Sequence, residues 1–83
     1  MNHLARTPKD IGHALRAARK HRQWSQQTLA ARSGVWQETI SKIENGSPGT
    51  RMETICDLLA ALDLELQVNE RTTGNTDFLE NTD

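Results

Sequence analysis

The sequence predicts an all-α fold: a small domain of four main helices, followed by one short C-terminal β-strand that pairs across a homodimer. Three observations carry this. Apolar residues recur at 3.6-residue spacing in four successive segments, helix-starting and helix-stopping residues fall between those segments, and one five-residue stretch alternates instead. Thr7-Pro8-Lys9-Asp10 opens the first helix. Thr7 caps, Pro8 takes the first helical position where no N–H bond is lost, and Asp10 closes a capping box. Ile11, Ala14, Leu15 and Ala18 form its inward stripe while Arg16 and Lys20 point away, which carries the helix to about Arg22. Trp24, expected in the core, precedes Ser25, the N-cap of a second helix over 26–33 with Leu29 and Ala30 inward. Gly34 enters a left-handed turn without strain and leads to a third helix over 37–45, buried through Ile40 and Ile43. Gly46 stops that helix. Thr50-Arg51-Met52-Glu53 reads as a second capping box, for a fourth helix whose stripe is Ile55, Leu58, Leu59 and Leu62 and which ends near Asp63.

Leu64, Leu66 and Val68 alternate with Glu65 and Gln67, the period of a strand. No other segment of the chain is suited to pair with it, so the economical partner is the same strand of a second copy, antiparallel across a two-fold axis. An irregular tail after the fourth helix is the other reading. These assignments divide the chain into a folded domain over 1–69 and a polar, acidic tail over 70–83, whose composition does not repay the entropy of ordering it.

Composition narrows the function. An 83-residue chain, 35% hydrophobic and 4% aromatic, supports one thin core and excludes a large enzyme fold. The single cysteine, Cys56, allows neither an internal disulfide nor a cysteine-based zinc site, and is expected as a buried, inert thiol beside the stripe of the fourth helix. His3, His13 and His21 lack the i,i+4 spacing of a helical metal pair, so no metal or other cofactor is expected. Glycine-rich phosphate loops, paired-carboxylate motifs and nucleophile elbows are missing, which argues against an enzyme. No apolar run reaches the ~20 residues of a membrane helix, and the first residues lack the apolar stretch of a signal peptide. A cytoplasmic, nucleoid-associated protein is the expectation. The formal charge of −1 conceals a division. Residues 1–51 carry nine Lys or Arg against three acids, and residues 52–83 carry Arg71 against eight acids. A polyanion is drawn to the first part and repelled by the second, which suggests two different partners.

The run from Trp24 to Gly46 resembles the helix-turn-helix of the Cro/cI (XRE) family of bacterial and phage regulators. It combines a helix opening Ser25-Gln26 with Leu29-Ala30, the turn residue Gly34, and Gln37, Ile40-Ser41 and Ile43-Glu44-Asn45-Gly46 at the family's distances. With the flanking helices the likeness covers about residues 8–63. Within that family, the strand 64–68 after the fourth helix, the short length and the acidic tail are similar to HipB-type antitoxins.

The resemblance implies that the third helix reads the major groove of DNA and that Gln37, at its first position, binds an adenine bidentately. Glu38 and Lys42 fall at the next groove-facing positions, where they suit a cytosine amino group and a guanine, and Ser41 offers a shorter hydrogen bond. Gln26 matches the residue that opens the second helix against a phosphate, and Arg51 is a further candidate for DNA contact. Trp36 departs from the family, which usually places Ser or Thr there as N-cap. Its indole either lies at the groove edge against a thymine methyl or the sugar backbone, or folds over Arg32 or the next helix. Val35 and Ile40 can still form a hydrophobic staple. Arg19 and Glu44 match a structural pair that holds the reading helix, while Leu64, Leu66 and Val68 serve dimerisation. In the tail, Phe78 and Leu79 suit a short anchor for a partner protein; a featureless solubilising tail is the other reading.

The function that follows is a homodimeric, sequence-specific repressor acting on inverted-repeat DNA. As the antitoxin resemblance implies, it autorepresses its operon and binds a HipA-like kinase toxin. Two alternatives remain: a free-standing XRE repressor without a toxin, and an interaction adaptor that keeps the scaffold but has lost DNA binding.

Overall fold

A computed structural model of the chain describes residues 3–72. Four helices follow in order, α1 (Pro8–His21), α2 (Gln26–Ser33), α3 (Gln37–Glu44) and α4 (Met52–Ala61). Their inward residues, Leu15, Ala18, Leu29, Val35, Ile40, Ile43, Ile55, Leu58 and Leu62, form one buried cluster. Such a core is small, and it is held by shape as much as by area. At Gly12, α1 comes so close to α3 that a methyl group there would overlap the Ile43 carbonyl.

The helix starts follow two different rules. Thr7 Oγ1 accepts from Asp10 N–H at 3.1 Å, and the Asp10 carboxylate reaches back to the Arg6 N–H at 2.9 Å, one residue before the N-cap. Ser25 Oγ accepts from Thr28 N–H at 3.0 Å and starts α2. By contrast, α3 and α4 start on Trp36 and Arg51, neither of which caps through its side chain. The capping box expected of Thr50 and Glu53 therefore does not form, because the helix starts one residue later and Arg51 has no side-chain acceptor. For α3 the missing cap costs about 1 kcal/mol. The staple offsets part of it, with Val35 8% and Ile40 0% exposed on either side of the cap.

Three helices end in the same wrap-back. After α1, Gln23 N–H donates to the Lys20 carbonyl at 2.9 Å and Trp24 N–H to that of Arg19 at 3.2 Å. The same crossed pair follows α3 through Gly46 and Ser47, and follows α4 through Asp63 and Leu64. Only one of the three uses glycine at the left-handed position; Gln23 and Asp63 adopt φ of 60° and 59°. This places the end of α4 at Ala61, with Asp63 as the turn residue after it.

Two expectations about burial are corrected. Cys56 is exposed, since it lies to one side of the Ile55 and Leu58 stripe and faces outward. Trp24 is half-buried at the rim of the core, and two guanidinium groups lie over its ring, Arg32 at 4.4 Å and Arg22 at 5.2 Å. Residues 64–68 form no strand in the single chain, for among the described residues no second strand offers a ladder. Leu64 packs against the core, whereas Leu66 and Val68 are 53% and 99% exposed. Beyond them the chain returns to the start of α1, where the Arg6 guanidinium donates to the Thr72 carbonyl at 3.0 Å.

Candidate nucleic-acid interface

The arrangement centres on α3. At 100° per residue, Gln37, Ser41, Glu38 and Lys42 fall within about 140° of one another, and Ile40, Ile43 and Glu44 on the remaining side. Gln37, Glu38 and Lys42 are exposed, Ser41 is half-buried, and Ile40, Ile43 and Glu44 are buried, Glu44 at the border beside Gln37. The helix thus offers one polar face outward while its other face is fixed in the core.

What fixes it is a polar knot linking three helices. Arg19 of α1 donates through Nε and Nη2 to the two carboxylate oxygens of Glu44 of α3, at 2.8 and 2.9 Å. A third donor of the same guanidinium, Nη1, meets the Trp24 carbonyl at 2.7 Å in the turn before α2. Gln26, the first residue of α2, donates its amide to Glu44 Oε1 at 3.2 Å. The pair is out of water, with side chains 9% and 3% exposed, and the carboxylate raises the Arg19 pKa above its usual value by hydrogen bonding. Among the described residues, no buried side-chain nitrogen or oxygen is left without a partner. Burying the two charges is tolerable because each is fully engaged.

The remaining candidates occupy the edges of this face. Gln26 is half-buried, so one of its two amide N–H groups is engaged by Glu44 and one remains. Arg51 is exposed at the start of α4. Trp36 is 79% exposed, and Arg32 lies over Trp24, so the reading in which the Trp36 indole folds over Arg32 does not hold. Phe78 and Leu79 lie outside the described residues. Among the described residues no three His, Cys, Asp or Glu side chains come together as metal ligands, and no helix is long and apolar enough to cross a membrane.

Spacing alone did not reveal the Gln26–Glu44 bond or the double stacking of Arg22 and Arg32 on Trp24. The first joins residues 18 apart across a turn. Arg22 also donates to the Leu62 carbonyl at 2.9 Å, which ties the end of α1 to the end of α4.

Comparison with known proteins agrees with this geometry. The helix-turn-helix family model matches residues 15–69, a span that holds the α2–Gly34–α3 unit and the polar knot. The chain belongs to the helix-turn-helix family. It is of the XRE type, and its likeness within the family is to HipB. The Escherichia coli K12 protein named antitoxin HipB is 32% identical over 60 residues, 72% of this chain and 68% of HipB. An uncharacterized HTH-type transcriptional regulator of Sinorhizobium fredii is 41% identical over 63 residues, 76% of this chain; the chain spans only 32% of that regulator's length. Among solved structures, the HipB–O4 20mer complex superposes with a TM-score of 0.77 at 28% identity, covering 83% of this chain and 97% of the other. The HipA–HipB–O2–O3 complex gives 0.76 at 28%, with the same coverage.

Proposed function

We propose that this helix-turn-helix chain is a homodimeric repressor of the antitoxin kind. Two copies set their α3 helices into successive major grooves of an inverted-repeat operator, repress their own operon, and bind a HipA-like kinase toxin encoded beside them. The observation that carries the reading is the two-sided character of α3: Gln37, Glu38 and Lys42 are exposed together, while Glu44 and two isoleucines hold the back of the helix. The HipB structures in complex with 20mers and with HipA support the choice of both partners.

A major groove ~12 Å wide admits such a helix, and its base edges present distinct donor and acceptor patterns. Gln37 offers the donor and acceptor that adenine N6 and N7 require. Glu38 accepts from a cytosine amino group, Lys42 donates to guanine, and Ser41 adds a shorter hydrogen bond. The free amide N–H of Gln26 meets a phosphate at the α2 N-terminus, where the helix dipole already favours an anion, and Arg51 meets another. Glu44 then serves twice, fixing α3 through Arg19 and aiming Gln26 at the backbone. In the dimer the 64–68 segments pair as antiparallel strands and cover Leu66 and Val68. The folded unit is 1–69, in the cytoplasm on the nucleoid, and the acidic 70–83 tail, through Phe78 and Leu79, meets the toxin.

A gel shift with the upstream intergenic DNA tests the first half. Binding should fall by about 10³ to 10⁵ between about 50 mM and about 200 mM salt if six or more phosphates are neutralised. No shift at either salt concentration would leave the adaptor reading standing. Calorimetry against the co-encoded kinase tests the second half, and the absence of a kinase gene beside this one would favour a free-standing repressor.

A further inference from the structure

Trp36 is the largest of the exposed apolar side chains among the described residues, at 79% exposure. It occupies the N-cap of α3, where its carbonyl accepts from Ile40 N–H at 3.0 Å but its side chain caps nothing. Ser25 shows what the same place gains from a hydroxyl, since its Oγ takes the Thr28 N–H at the start of α2. The neighbouring guanidinium of Arg32 is engaged over Trp24 and leaves the Trp36 ring uncovered. In the single chain, therefore, α3 forgoes its cap for an indole that the fold does not bury. The adjoining residues give the ring its location: Val35, before it, is a core anchor, and Gln37, after it, opens the exposed polar face of α3.

We infer that Trp36 is a specificity-determining residue whose indole packs on the 5-methyl group of a thymine beside the base pair met by Gln37. The inference rests on the DNA-binding reading above. Base edges in the major groove carry one apolar group, the thymine methyl, while the sugars carry no sequence information. The exposed ring adjoins Gln37 in the chain, about 3.8 Å away from Cα to Cα, and of these two surfaces only the methyl would give it base selectivity. The missing cap then has a physical sense: a hydroxyl turned back onto the helix N–H groups would hold no apolar surface toward the groove.

The test uses the full chain and a 20-base-pair duplex that it selects from a randomised library. Each thymine is replaced in turn by deoxyuridine, which removes only the methyl group. The wild type should lose about fourfold in affinity at one thymine in each half-site, the worth of one buried methyl. The Trp36→Ser variant should bind the selected duplex about tenfold more weakly, and should not distinguish thymine from uracil at that place. Serine restores an N-cap, so its melting temperature should equal or exceed that of the wild type, which separates a weakened grip on DNA from a damaged fold. Equal weakening of Trp36→Ser on thymine and uracil duplexes alongside full uracil sensitivity would put the ring on deoxyribose and overturn the inference, as would unchanged binding by Trp36→Ser. Failure of the wild type to enrich any duplex would be a different result, overturning the DNA-binding reading and this inference with it.

Discussion

Arg19 and Glu44, 25 positions apart in the chain, meet as a two-pronged buried ion pair that clamps the end of α3 to α1 while Gln37, Glu38 and Lys42 of α3 stay exposed. Because Gln26 and the Trp24 carbonyl share the same two side chains, the knot ties α3 to both α1 and the start of α2. Glu44→Ala should destabilise the fold by about 3 to 5 kcal/mol, since it strands a buried guanidinium. Replacing both members by apolar residues of similar volume, Arg19→Met with Glu44→Leu, should recover much of that loss. Urea denaturation of the two variants beside the wild type measures it.

The close approach of α1 and α3 at Gly12 makes an opposite-sign prediction to helix propensity. On an exposed helix surface Gly→Ala stabilises by about 1 kcal/mol. Here the added methyl meets the Ile43 carbonyl, so Gly12→Ala should destabilise by about 1 to 3 kcal/mol, with α3 displaced. A melting temperature above that of the wild type would show that the helices do not approach so closely.

Much of the architecture was legible because its signals are local. Thr7, Ser25 and Gly34 each carry their own physical reason for starting or ending a helix, and the apolar stripes of α1, α3 and α4 show at helical period. The features that escaped need tertiary context. Gln23 and Asp63 take left-handed φ where glycine would announce the turn. Thr50 resembles a cap but lies one residue too early, and Cys56 sits just off a stripe. Trp24 looks like a core residue until Arg22 and Arg32 are seen over its ring. Arg19 and Glu44 were visible as a pair through the family resemblance, but only folding shows that Gln26 joins them.

Asp10 offers a pH signature. The Arg6 N–H holds its carboxyl below the usual value; desolvation opposes this less strongly, and the Thr7 hydroxyl and backbone add smaller lowering effects. A carboxyl with a depressed pKa in the folded state stabilises above its unfolded value of about 3.9 and loses that contribution as pH falls through the lower folded value. Wild type should therefore melt above Asp10→Asn at pH 7, and the difference should close in the acid range below about 3.9. A difference that persisted unchanged to the lowest pH would contradict the ionised cap.

The two exposed apolar residues of the 64–68 segment separate folding from assembly. Leu66 and Val68 contribute little to the core of one chain, so Leu66→Glu with Val68→Glu should leave the far-ultraviolet spectrum of a helical protein intact. Light scattering at micromolar concentration should show the wild type as a dimer and the variant as a monomer. Operator binding should weaken with it, because one protomer offers too small an interface for tight specific binding.

The most direct test of DNA reading by α3 is the base preference of Gln37→Ala. Wild type and variant are each given the selected duplex and its single-base-pair changes at one salt concentration. The variant should fold normally, bind its best duplex more weakly by about 1 to 3 kcal/mol for each bidentate adenine pairing removed, and become indifferent to the base pair at one position of each half-site. Retention of the full wild-type preference at every position would contradict this, for then α3 would not be reading DNA in the register set by Arg19 and Glu44.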